Sequence, residues 1–340
     1  MLVPESTPHT PESLGYTLGV TLVLGLSTLP GIGSAVLRRL GDPTTALEAF
    51  LHEDIRSFTD LVNSYGAKFN PMTVSESSWD ELKKLLYLRG RAQVKELCKQ
   101  QIYCITPSSE IYPSKLLDLG SKKPNWLFLK GNLALLEESS IAVVGTRDAS
   151  DAGVFLTQYV VSLCADYQVP VVSGLARGID TVAHEWSLFT KTPTISILGS
   201  GILRPYPARN SSLFQRIIDA DGLVISEYLP HQDPSADMFV WRNRLQACLS
   251  DCVIAPEWKH KSGTAHTIRF AAELQRLSIS LNLNGVELKG DEGAGSLHLE
   301  LPTDHQELLN IIREIAEYDY KKHILDVENT ILKPVQTSLF

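Results

Sequence analysis

Between Ile141 and Gly285, short runs of β-branched and aliphatic residues recur, and each ends in glycine or serine before an amphipathic stretch begins. The runs are IAVVGTR (Ile141–Arg147), VVSGLARGID (Val171–Asp180), ISILGSG (Ile195–Gly201), GLVISE (Gly222–Glu227) and CVIAPEWKHKSGT (Cys252–Thr264). An apolar run closed by a small residue and followed by helical periodicity marks a β-strand handing over to a helix. The spacing predicts strands near residues 141–145, 169–173, 194–198, 222–226, 252–255 and 278–283. Helices are predicted near 151–167, 178–190, 208–220, 239–250 and 264–276. Parallel, right-handed βαβ units accommodate that alternation, so the fold class is α/β with a doubly wound, mainly parallel sheet. Turns of this kind gather backbone N–H groups and helix N-termini along one edge, which favours phosphate.

The flanks read differently. Residues 1–16 are rich in proline, serine and threonine and form a flexible lead-in. Residues 17–105 read as a helical domain, with a helix–turn–helix at LSTLPGIGSAVLRRL and further helices near 43–52, 57–65 and 79–100. The α/β domain covers 106–288, opening with a strand at Trp126–Gly131 and a short helix in NLALLEE. Residues 289–303, which include KGDEGAGS, are a linker, and 304–340 a short C-terminal segment built on an amphipathic helix at His305–Tyr318. TLGVTLVLGL (Thr17–Leu26) is apolar but too short to span a bilayer, so it reads as a buried helix. With no signal-type N-terminus, the expectation is a cytoplasmic protein with no membrane partner.

The five cysteines are odd in number and form no CxxC, which argues against a disulfide framework or a zinc site. A formal net charge of −8 weighs against nucleic acid only superficially. Residues 286–340 hold 5 basic and 11 acidic groups, whereas residues 141–285 hold 12 and 13. A local basic patch in the middle region is therefore compatible with an acidic chain.

Gly145, Thr146 and Arg147 close the first strand of the alternation, where a guanidinium beside N–H groups can grip a phosphate or pair within its own loop. Ser173 and Gly174 end the next strand, Arg177 adds charge, and Gly178 lets the chain enter the following helix at close quarters. Asp180 can cap that helix or orient an arginine, and His184 stands one turn further on, so both are supporting residues. HEWSL is not HExxH, because Leu188 occupies the second histidine position, so no metal role follows.

Gly199, Ser200 and Gly201 suggest a backbone nest, followed by Tyr206, which can stack on a base or pack at a rim; Glu227 closes the next strand as a further supporting residue. Arg204 stands where a dinucleotide fingerprint needs its third glycine, and there is no GxxxxGK[ST]. Arg242, Asn243 and Arg244 lie at a helix start, with the two arginines pointing to different sides. Lys261, Ser262, Gly263 and Thr264, with Lys259 nearby, form a basic turn at a helix N-terminus that can cradle a phosphate. No paired carboxylates, triad order or metal cluster stands out, so no catalytic residue, cofactor or metal is assigned. Arginine charge, backbone amides and an aromatic are what single-stranded nucleic acid requires.

YPSKLLDLG, PNWLFLKGN, IAVVGTRDAS, SGLARGIDTVAH, ILGSGILRPYPARN, LVISEYLP, FVWRNR and SGTAHTIRFAAE occur in this order. The set resembles the DprA/Smf family of DNA-processing proteins over roughly residues 20–280. The resemblance implies an extended Rossmann-like fold behind an N-terminal unit of helix-hairpin-helix or SAM-like type. It implies a homodimer that binds single-stranded DNA cooperatively, protects incoming DNA and loads a RecA-type recombinase during natural transformation, without catalytic activity. The PGIG turn is then either a contact to duplex phosphate or a packing element. The family's usual VPG after the last strand is replaced by SISLNLNG, and no winged helix is evident at the C-terminus. The other reading is a nucleotide sensor, or an enzyme that cleaves nucleoside monophosphates. The latter chemistry goes with a PGGxGTxxE turn, whereas SGTAHT lacks the paired glycines and Glu273 lies beyond it.

Overall fold

The computed structural model describes residues 10–52, 54–71, 78–285 and 297–331, the last thirteen of these by their backbone. Residues 1–9 of the lead-in, 289–296 of the linker and 332–340 of the C-terminal segment lie outside the described residues. Five helices come first: α1 (Leu18–Leu26), α2 (Ser34–Arg39), α3 (Pro43–His52), α4 (Ile55–Ser64) and α5 (Trp79–Lys99). Two strands follow, β1 (Tyr103–Ile105) and β2 (Leu127–Gly131). Strand and helix then alternate through β3 (Ile141–Val143), α6 (Asp151–Tyr167), β4 (Val171–Ser173), α7 (Ile179–Thr190), β5 (Thr194–Ile197) and α8 (Ser211–Asp219). The alternation continues with β6 (Leu223–Ser226), α9 (Ala236–Leu249), β7 (Cys252–Ala255), α10 (Gly263–Glu273) and β8 (Leu277–Leu283), and the described chain closes on β9 (Leu297–Leu301) and α11 (His305–Ile331). The fold is α/β and Rossmann-like. No helix among the described residues is long and apolar enough to cross a membrane.

The chain divides into two compact units. The first comprises Met1–Leu133, Leu198–Ala208 and Leu223–Arg242. Its helices start where short polar side chains take up orphan amides: Thr17 accepts from Val20 N–H, Asp54 from Arg56 and Ser57, and Ser78 from Glu81. All residues of α1 except Leu18 are buried, as the length of its apolar run predicts. The helix crosses α5 at backbone contact. A Cβ on Gly90 would stand 2.0 Å from the Thr21 carbonyl oxygen, and one on Gly25 2.2 Å from that of Leu86. The PGIG turn packs within this unit: Gly31 takes φ +83 and accepts a hydrogen bond from Lys68 N–H. Tyr103–Ile105, inside the segment predicted to be helical, is instead a strand, antiparallel to β2. Strand β2 is also antiparallel to β6, with Leu129 opposite Ile225. A three-residue strand has too little period to be told from a frayed helix end by pattern.

The second unit comprises Ala134–Ile197, Arg209–Gly222 and Asn243–Phe340. Its strands are all parallel, in the order β5-β4-β3-β7-β8-β9. Strand β3 therefore has β4 on one side and β7 on the other. Successive crossovers leave β3 in opposite directions, which makes it the topological switch point of the sheet, where ligands of open α/β folds bind. The core is aliphatic: Ile141, Val143, Val171 and Ile254 from the strands pack with Leu156, Val160, Ile179 and Ala183 from the helices. Cys164 and Cys252 are buried within it, and desolvation pushes the Cys164 thiol up to about 12, so the thiols behave as apolar packing groups. Leu297–Leu301, read from sequence as linker, is a strand in register with Ile279–Leu283. Its alternating leucines Leu297, Leu299 and Leu301 join the core, a signal hidden by the glycine-rich residues before it.

Candidate nucleic-acid interface

Three turns of the second unit, after β3, β4 and β7, are tied to one another by backbone bonds. Thr146 N–H donates to the Glu257 carbonyl oxygen at 2.8 Å, and Ile179 N–H donates to that of Thr146 at 3.1 Å. Gly145 is enclosed between these neighbours, since a Cβ there would lie 2.4 Å from Ile179 Cγ1 and 2.7 Å from the Glu257 carbonyl oxygen. Gly178 has φ +73 and ψ −129, a conformation close to glycine-only, and a Cβ there would stand 2.2 Å from the Thr146 carbonyl oxygen. Both glycines are thus required by close backbone approach, and Gly145–Arg147 and Ser173–Gly178 form one continuous surface.

Side chains stiffen that surface. Leu175 is fully buried at φ +59, a strained state for a leucine. It is held by Asn210, whose Nδ2 donates to the Leu175 carbonyl oxygen at 2.8 Å, and by Thr181, whose hydroxyl donates to that of Ala176. Asp180 reaches back toward Ala176 N–H at 3.4 Å instead of capping its own helix. Glu257 accepts from both the amide and the hydroxyl of Ser150 and so fixes the loop from Thr146 to the start of α6. Leu175, Asn210 and Glu257 carry no signal of these roles in the sequence. Asn210 precedes a helix and looks like its N-cap, yet its amide is spent on the neighbouring turn.

The charged groups sort into two kinds. Arg147, Arg177, Lys259 and Lys261 are exposed. Arg177 lies 3.4 Å from Asp148 in a solvent-exposed pair, a contact that contributes at most about 1 kcal/mol. Arg244, in contrast, is 1% exposed and Arg242 3% exposed, and both are engaged within the protein. Neither guanidinium is presented to solvent as the two-sided reading of Trp241–Arg244 predicts. Asn243 is buried as well: its Nδ2 donates to the Gly263 carbonyl oxygen at 2.9 Å and ties it to the head of α10. We expect Arg244→Ala to lower stability by about 3 kcal/mol, through the cavity and the polar partners it strands. Urea unfolding of the variant measures this, and a loss below about 1 kcal/mol contradicts it.

At the head of α10, Ser262 is in N-cap geometry but makes no side-chain cap bond, and its buried Oγ has no hydrogen-bond partner among the described residues. Gly263 beside it is exposed, with open space where a side chain would begin. A hydroxyl, the first amides of an eleven-residue helix and the exposed Lys261 are groups of the kind that can take up an anion. Thr264 is buried behind it.

Ser173 and His184 are structural. Ser173 Oγ donates to the Val143 carbonyl oxygen at 2.7 Å, so its hydroxyl faces the neighbouring strand and not a ligand. His184 is fully buried, its Nδ1 bonded to Thr194 Oγ1 at 2.8 Å. Among the described residues no group of three His, Cys, Asp or Glu is placed to hold a metal ion.

In the first unit, Gly199, Ser200 and Gly201 are buried and Gly201 N–H donates to the Gln232 carbonyl oxygen, so this turn is a packed corner and not an open nest. Ser200 Oγ donates to the Arg204 carbonyl oxygen, and Glu227 is 4% exposed and engaged. Glycine is required at 199 because Phe239 lies against it: a Cβ there would meet the ring at 2.3 Å. Tyr206 is 47% exposed with its ring centroid 5.5 Å from that of Phe239. The two rings make an aromatic platform suited to an unstacked base. The sequence does not signal this role of Phe239, because an aromatic three residues before an arginine pair looks like core.

Comparison with known proteins puts this architecture in context. A family model described as DNA recombination-mediator protein A matches residues 103–300. The chain is 31% identical over 263 residues to a Smf protein of Synechocystis, an alignment that covers 76% of this chain and 63% of the relative. It is 40% identical over 165 residues to DNA processing protein DprA of Streptococcus pneumoniae, with 48% of this chain and 55% of the relative covered. The chain thus spans between about half and two thirds of the length of these curated relatives. The solved structure of DNA processing protein A from Streptococcus pneumoniae superposes with a TM-score of 0.58 at 28% identity, covering 86% of this chain and 95% of that one. A structure describing the single-stranded DNA binding mode of DNA processing protein A from Helicobacter pylori superposes with a TM-score of 0.53 at 25% identity, covering 63% of this chain and 97% of that one.

Proposed function

The chain belongs to the DNA recombination-mediator protein A family, and from that premise we propose that it binds single-stranded DNA along the carboxyl-end turns of β3, β4 and β7. The observation that carries this reading is the rigid, interlocked surface of Gly145–Arg147 and Ser173–Gly178, with exposed Arg147 and Arg177 upon it. Amides and guanidinium groups held in place lose little freedom when a phosphate arrives. The head of α10 offers a second phosphate subsite through Lys261, Ser262 and Gly263. In the first unit, taken by itself, the Tyr206–Phe239 ring pair is suited to stacking on a base of any sequence. Ser173, Gly174 and Gly178 shape the turns, and Asn243 holds the head of α10. Binding involves no chemical step.

We further propose a destination for the bound strand. The family description, a recombination mediator, supports handing the strand to a RecA-type recombinase; covering and protecting it as a homodimer is what the resemblance to the DprA/Smf family implies.

The test is a salt titration of binding to single-stranded and duplex oligonucleotides. Arg147→Ala is expected to weaken single-strand binding about tenfold to hundredfold, the effect of about 1.5–3 kcal/mol from one charge-assisted bond. The slope of log affinity against log salt should flatten by about 0.7, one phosphate's share. Unchanged affinity and slope remove Arg147 from the interface.

A further inference from the structure

The first unit carries a groove of about 970 Å³ lined by the turn before α1, by α1 and by the outer face of α5. Its floor is apolar and open: Leu18 is 52% exposed, Leu88 62% and Tyr87 41%. Large side chains left in water beside one another cost hydrophobic free energy that a partner recovers. One wall is basic. Arg91, Lys95 and Lys99 follow each other at one-turn spacing along α5 and line the groove together. They span about 12 Å of helix. Among the described residues no carboxylate pairs with Lys95 or Lys99, and Glu12 is the one acid in the lining.

We propose that this groove docks an amphipathic helix of a partner protein, one whose apolar stripe is flanked by carboxylates a turn apart. The charge fits: three cations in a row on the wall meet a row of acids on a helix laid alongside. The floor fits too, since an apolar stripe at helical spacing buries the exposed leucines. A nucleic-acid strand suits the groove less well. The Arg91 guanidinium lies over the Tyr87 ring, 5.7 Å from its centroid, and so covers the aromatic face on which a base would stack. The remaining floor is aliphatic.

The probe is a fluorescently labelled helical peptide of roughly 18 residues, with leucines on one stripe and glutamates one turn apart beside it. Its binding to the full chain is followed by anisotropy, next to a control peptide with lysines for glutamates. Saturable binding with a dissociation constant on the order of 10 µM is expected for the acidic peptide, weakened at least about tenfold in Arg91→Glu/Lys95→Glu and, separately, in Leu88→Glu. All these positions are exposed, and the variants should keep the single-stranded oligonucleotide affinity of the parent. The proposal is overturned if the acidic peptide does not saturate below about 500 µM, if the lysine peptide binds as well, or if the variants bind the acidic peptide unchanged. It is also overturned if the charge reversals weaken oligonucleotide binding and leave the peptide unaffected, which would make the groove a nucleic-acid surface.

Discussion

Gly178→Val is expected to lower single-stranded oligonucleotide affinity more than about a hundredfold and stability by about 2–6 kcal/mol. Two costs add. A β-branched residue cannot hold φ +73 with ψ −129 without strain, and its Cβ would sit 2.2 Å from the Thr146 carbonyl oxygen and 2.8 Å from Arg147 Cα. The atoms in the way are backbone, so they cannot swing aside as a side chain does. Either the Gly145–Arg147 turn moves or the start of α7 unwinds, and both break the bond from Ile179 N–H to Thr146 that joins the two turns. Binding therefore falls even in molecules that stay folded. Oligonucleotide affinity measured below the unfolding transition, together with urea denaturation, separates the two losses. A folded variant with parental affinity refutes the interlocked-turn interface.

Gly90→Val is expected to cost about 4 kcal/mol or more and to melt the helical part of the first unit. Gly90 lies where α5 presses its backbone against α1, with the Thr21 carbonyl oxygen 2.0 Å and its carbon 2.9 Å from an added Cβ. To make room, the helices must part, which exposes Val20, Leu24, Leu86 and Val94, all now buried. The loss should appear in the far-ultraviolet circular dichroism signal and in proteolysis within residues 17–100. A Gly90→Val protein whose stability stays within about 1 kcal/mol of the parent would mean that this crossing is looser than described.

The turns were legible in sequence because their signal is local. A β-branched run ending in GTR or SGLARG announces the end of a strand, and the helices predicted after them match α6 through α10 within a few residues. Glycine at 145 and 178 is also a local statement, since it marks close approach or an unusual dihedral wherever the partner is. The positions of Arg147, Arg177 and Lys261 on exposed turns follow from the same pattern.

What each side chain does was decided elsewhere. Ser173 and Ser262 end comparable turns, yet one hydroxyl is spent on Val143 and the other points at no partner among the described residues. Arg147 and Arg244 are both arginines near predicted helix starts, but one is exposed and the other is 1% exposed. Leu175, Asn210 and Glu257 have no local signature, because their roles depend on residues 35 to 107 positions away. Sequence alone determined the strand–helix alternation, the turns that carry anion-binding potential and the family, because hydrophobic period and glycine placement act over a few neighbouring residues. Only the tertiary structure decided which guanidiniums are presented and which are interior, which hydroxyls are spent, that β1 and β9 extend the strand sets of their units, and that Phe239 backs Tyr206. Those outcomes depend on burial and on hydrogen-bond partners brought together across the chain, and a polar group shows its role only when the identity of its partner is known.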